Sequence, residues 1–183
     1  APARGGAREA RKPPRQAQPD PALPEQTVLH EMVAIDRPKG IARQLKKGIS
    51  VNAEDCMGET PLFWAESAEV VDYLVNEGAD MHHRNNVCDC SAFFKFACQG
   101  KHRPLGALAR HLRSHGRLQE YLNEQASYTR RTPLHAAACN GFVETVRVLL
   151  ALGADKGLSD YLGKTAADLA GRRGFSEVSS LLA

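Results

Sequence analysis

The sequence predicts an all-α solenoid of about five helix-turn-helix repeats, and three observations predict it. The first is periodicity: 33 residues separate Thr27 from Thr60 and Thr132 from Thr165, and each threonine opens a similar helix start. The second is the unit itself, Thr132 to Asp155, whose two short helices each carry an apolar face and can bury it only against copies of themselves. The third is composition. With 183 residues, 43% of them apolar, the chain can form a continuous stacked core. No apolar run approaches 18 residues, so no membrane-spanning helix is expected.

The unit at Thr132 reads TPLHAAACNGFVETVRVLLALGAD. Thr132 is placed to cap the first helix, and Pro133 falls at its first position, where a missing N–H costs nothing. Ala136 to Ala138 allow a neighbouring backbone to approach. Asn140-Gly141 breaks the chain, Val146, Leu149 and Leu150 share one face of the second helix, and Gly153 ends it. TVLH at Thr27, TPLFWA at Thr60, SAFFKFA at Ser91 and TAADLA at Thr165 are weaker versions. The set resembles the ankyrin repeat, with its period of 33 and its T-P-L-H-x-A start. The resemblance covers Thr27 to Ala183 and implies repeats at about 27–59, 60–90, 91–131, 132–164 and 165–183, joined by β-hairpin-like fingers. It also implies that His30 and His135 are structural, bonding between adjacent repeats.

Taken in order, residues 1–25 are a different material from the domain at 26–183. Arg4, Arg8, Arg11, Lys12 and Arg15 lie among prolines with almost no large apolar side chain, which predicts a disordered or extended tail or linker. RKPPR offers a short anionic-surface or nuclear-import patch, weighed against a plain solvated linker. In repeat one, Asp36-Arg37-Pro38 replaces the usual glycine break, and Lys46 and Lys47 suit the C-terminal turn of the second helix. This repeat reads as the N-terminal cap.

The finger at 48–60 presents Met57 and Glu59. Repeat two is three residues short between its helices and carries Phe63-Trp64 where His-Ala is usual. Trp64, the single tryptophan, is weighed as a contact residue against core or groove filler. The next finger, MHHRNNVCDC, is one residue longer than standard. His82, His83, Cys88, Cys90, Cys98 and His102 raise a zinc site, but C-x-C is not the C-x2-4-C knuckle of structural zinc, and Cys98 shares its repeat position with Cys139. Free thiols are the expectation, as for all five cysteines in a chain without a signal-peptide pattern.

Repeat three is irregular. Ser91 to Thr132 spans 41 residues, eight beyond the period, with a long second helix over Leu105–His115 and a further helical stretch over Leu118–Gln125. Between Asp89 and Glu120 there is no acidic residue, while Lys101, Arg103, Arg110, Arg113 and Arg117 are present. That run predicts a local positive field suited to an acidic partner. Nucleic acid is disfavoured because no aromatic residues are interleaved to stack on bases. Arg130 and Arg131 follow on the next finger. Tyr161 and Leu162 occupy a fingertip where polar residues are usual, and repeat five reads as the C-terminal cap.

The chain carries no glycine-rich phosphate loop, no G-x-S-x-G and no HExxH, so no catalytic residue, metal ligand or cofactor is assigned. The resemblance implies a protein-protein interaction module, monomeric and cytoplasmic, with a nuclear location or the cytosol of a host cell as variants. Its expected contact residues are Met57, Glu59, Trp64, His82, His83, Arg84, Lys101, Arg103, Arg130, Arg131, Tyr161 and Leu162, on the concave side. The alternative is the substrate-recognition part of a larger enzyme, such as a bacterial effector, of which this chain is a piece.

Overall fold

The computed structural model describes residues 25–183, with side chains from Val28 onward. The Pro/Arg-rich stretch, Glu25 apart, lies outside the described residues. Ten α-helices follow: α1 Glu25–Ala34, α2 Pro38–Lys46, α3 Ala68–Asn76, α4 Ala92–Gln99, α5 His102–Ser114, α6 Leu118–Leu122, α7 Pro133–Cys139, α8 Val143–Leu152, α9 Ala166–Arg172 and α10 Ser176–Leu182. A single 3-10 turn, Pro61–Trp64, precedes α3.

Helix starts follow the side chains that can satisfy orphan N–H groups. Ser67, Ser91, Thr132 and Thr165 each accept a bond from the backbone N–H three residues on. At the other ends Gly100 and Gly153 take left-handed conformations. Where repeat one lacks a glycine between its helices, Asp36 adopts φ +52 instead.

The elements stack in two layers. One holds the first helices, in the order α1, the 3-10 turn, α4, α7 and α9; in the other, α3, α5, α8 and α10 pack in sequence, with α2 against α1. Between them runs one core containing Leu29, Leu62, Phe93, Phe96, Leu105, Leu108, Leu134, Val146, Leu149 and Val178. The short α6 is the extra length of repeat three, and it buries Leu118, Tyr121 and Leu122.

Three expectations are corrected. Repeat two has no first α-helix. With three residues missing, the chain reaches Ser67, the cap of α3, after one 3-10 turn. The fingers form β-bridges at only two places among the described residues, Arg84 with Ser91 and Ser159 with Thr165. The five cysteines are not all free. Asn85 Oδ1 accepts from both Cys88 N and Cys90 N at 3.2 Å, Asp89 between them is left-handed, and the two cysteines are joined as a disulfide. Cys56, Cys98 and Cys139 remain free, Cys98 on the surface rather than packed like Cys139.

Candidate partner-binding surface

The fingers are built on one local device. Asp55 Oδ1 accepts from Met57 N and Glu59 N, Asn85 Oδ1 from Cys88 N and Cys90 N, and Asp160 Oδ1 from Leu162 N and Lys164 N. Each set of bonds curls the chain into a tight turn, closed by a left-handed residue: Gly58, Asp89 and Gly163. In the third finger Ala126 supplies no such acceptor, and Arg130 N bonds the Ala126 carbonyl while Arg130 itself is left-handed.

Adjacent fingertips are stitched through their backbones. Asn86 N donates to Met57 O at 2.9 Å, Ser127 N to Cys88 O at 3.3 Å, and Tyr161 N to Thr129 O at 3.1 Å. The four tips therefore form one continuous edge. Along it stand Met57, Val87, Tyr128, Tyr161 and Leu162, with exposures of 50% to 81%. Five large apolar side chains left in water on neighbouring turns make a patch that scattered surface hydrophobes do not.

Behind the tips lies a buried polar network. His30 Nε2 donates to Glu59 O at 2.9 Å, and His135 Nε2 donates to Lys164 O at 3.0 Å, so each histidine ties its first helix to the finger 29 residues on. Burial pushes the His135 ring below the ordinary histidine range, leaving it neutral at pH 7 with Nδ1 free to accept from Thr132. Glu59 bonds Asn85 Nδ2 at 3.2 Å and pairs with Lys95. Lys95 in turn sits 4.7 Å over the Trp64 ring, whose Nε1 donates to Asp55. Ser91 Oγ donates to Glu124, and Arg84 reaches that same carboxylate at 3.2 Å.

The structure sorts the expected contact residues into three groups. Met57, Arg130, Tyr161 and Leu162 are exposed on the fingertip edge, with Arg84 partly exposed behind the second tip. Glu59, at 3% exposure, is a buried network residue out of reach of a partner. Trp64 is half-buried under Lys95 in the same network, while His82 bonds Tyr121 Oη at 2.6 Å, His83 bonds Gly58 O at 2.7 Å and Arg131 pairs with Asp160 at 3.6 Å. Lys101 and Arg103 fall at the α4–α5 turn, the opposite end of the helices from the fingers. Among the described residues no three His, Cys, Asp or Glu side chains converge as a metal site requires.

Sequence reasoning missed Val87 and Tyr128. The signal for Tyr128 was present, since it stands one 33-residue period before Tyr161. Val87 was obscured by the extra residue in its finger. The positive field expected from repeat three is partly cancelled: Arg110 and His111 meet Asp72, Lys101 meets Glu66, and Arg117 meets Glu120, leaving Arg103 and Arg113 without an ion pair among the described residues. Moreover α5 belongs to the second-helix layer, away from the tips.

A family model described as "Ankyrin repeats (3 copies)" matches residues 66–160 and 96–183, together more than half of the chain. Among curated proteins none matches. The matched region begins after the shortened 3-10 start of repeat two and takes in the last three fingers, the helices from α3 onward and the Thr132 unit. The chain belongs to the ankyrin-repeat family, whose members are generally protein-protein interaction modules.

Proposed function

We propose that this chain is a non-catalytic recognition module that engages a protein partner along its fingertip edge. The observation that supports the reading is the continuous row of Met57, Val87, Tyr128, Tyr161 and Leu162, held in register by three backbone bonds between fingers. Tyrosines on a rigid edge supply large contact area at small entropic cost, and such residues dominate interface energetics. Arg130, two residues from Tyr128, makes no ion pair among the described residues, so an acidic group on the partner would match that part of the edge. The expected state of the module on its own is a monomer.

Affinity capture with the folded chain as bait, compared with a Tyr128→Ala/Tyr161→Ala variant, tests the reading. A specific partner retained by the parent should bind the variant at least about tenfold more weakly, since each exposed aromatic anchor contributes roughly 1–2 kcal/mol. Equal retention and equal Kd for the two baits would overturn it.

A further inference from the structure

The largest uncompensated charge on the described surface is not in repeat three but on α2. Between Asp36 and Glu54 the sequence holds no carboxylate, while Arg37, Lys39, Arg43, Lys46 and Lys47 are all present. All five are exposed, and none makes an ion pair among the described residues. Lys39, Arg43, Lys46 and Lys47 stand at i, i+4, i+7 and i+8, one face of a helix whose opposite side buries Ile41 against α1. Beside this stripe runs a groove of about 680 Å³ lined by Met32, Asp36, Arg37, Pro38, Lys39, Gly40 and Arg43. Its floor includes the Met32 thioether, whose Sδ lies 2.7 Å from where a Cβ on Gly40 would stand. Because residue 40 has no side chain, the Met32 thioether can lie directly against the α2 backbone, which puts an apolar surface beside the cationic stripe.

We propose that α2 and this groove form a second docking surface, for an acidic segment of a protein partner that carries an apolar anchor side chain. The cationic rim sets the sign of the ligand, and the methionine-floored groove sets its shape. A bare phosphodiester backbone or a flat anionic bilayer would satisfy the charge and leave the apolar floor uncovered. The chain's own residues 1–24 have the wrong sign to cover it, since Arg4, Arg8, Arg11, Lys12 and Arg15 outnumber Glu9 and Asp20. Asp36, the one carboxylate lining the groove, accepts from the Ser67 hydroxyl at 2.7 Å, and its single charge is outnumbered by the five cations of α2 and its ends, so the local field stays positive. This surface is separate from the fingertip edge, so the two stand or fall independently.

The test uses the full chain in 50 mM NaCl with a fluorescein-labelled 12-residue peptide of mixed Glu and Leu. The controls are a poly-Glu peptide of equal charge, a single-stranded oligonucleotide and vesicles containing phosphatidylserine. The Glu/Leu peptide should bind, and Lys39→Glu/Arg43→Glu should weaken it by about tenfold or more, as should raising the salt to 500 mM. Met32→Gln, which keeps every charge, should weaken it about threefold, and poly-Glu should bind more weakly than Glu/Leu. These substitutions are at exposed or half-buried positions, and circular dichroism checks that each variant folds. Peptide binding unchanged by Lys39→Glu/Arg43→Glu would overturn the proposal. So would tighter, variant-sensitive binding of the oligonucleotide or the vesicles.

Discussion

Glu124 is the residue whose chemistry departs furthest from that of its free side chain. It sits in the extra length of repeat three, buried, receiving the Ser91 hydroxyl and facing Arg84 at 3.2 Å, with Asp89 also on Arg84. Burial pushes its carboxyl up to about 7, and the Ser91 bond and the Arg84 charge only partly oppose that rise. A raised carboxylate pKa means the folded state holds a proton that the unfolded chain has lost between about 4.5 and 7. The stabilisation is complete below the unfolded value and disappears as pH climbs through the folded one. Glu124→Gln, which mimics the protonated form, should therefore raise stability at pH 8 by at most about 3 kcal/mol and change it little at pH 4. Thermal melts of the two proteins across that range check this, and a variant equally destabilised at both ends would refute it. Arg130 illustrates a different local cost, a left-handed backbone without glycine, placed on the surface assigned to partner contact.

At the scale of elements, successive loops between paired helices are locked by an aromatic ring over a glycine. A Cβ on Gly100 would lie 2.7 Å from the Phe142 ring, and one on Gly141 would lie 2.7 Å from that of Phe175. Both glycines are left-handed, at φ +75 and +74. Gly141→Ala should thus suffer twice, roughly 1–2 kcal/mol for the backbone and about 1 more for displacing the ring. Gly78→Ala has the same backbone penalty, at φ +90, but nothing within 4 Å to meet its methyl. The melting temperature of Gly141→Ala should fall further than that of Gly78→Ala. Equal losses would mean that ring packing contributes nothing. The same reasoning explains why Asp36 is tolerated in repeat one, where its carboxylate gains a bond from Ser67.

For the whole molecule, stability is the sum of repeat and neighbour terms, so it follows the regularity of the stack. The Thr132 repeat has a capping box, seven buried residues in α7 and packing from α4 on one side and α9 on the other. In the first-helix layer repeat one meets its neighbour only through a short 3-10 turn, supplemented by polar bonds such as Ser67 Oγ to Asp36 and Asn86 N to Met57 O. Native-state hydrogen exchange should show the amides of α1 and α2 opening at least about tenfold more readily than those of α7 and α8. Uniform protection across the chain would instead indicate one cooperative unit.

What the sequence determined by itself was the phase of the stack. Threonine or serine caps, apolar faces and glycine stops act within a few residues, so the starts at Ser91, Thr132 and Thr165 and the break at Gly141 could be read without knowing what packs where. The fingertip patch was only half legible: Tyr161 and Met57 stood out, and Tyr128 needed the repeat ruler. Tertiary structure alone decided the rest. Burial of Glu59 and the capping of Trp64 by Lys95 depend on side chains 36 residues apart in the chain or on different repeats. The charge of repeat three looked free because its partners, Asp72 and Glu66, belong to the neighbouring repeat. Local rules set the elements, and Coulomb pairing across repeats sets which charges are left for a partner.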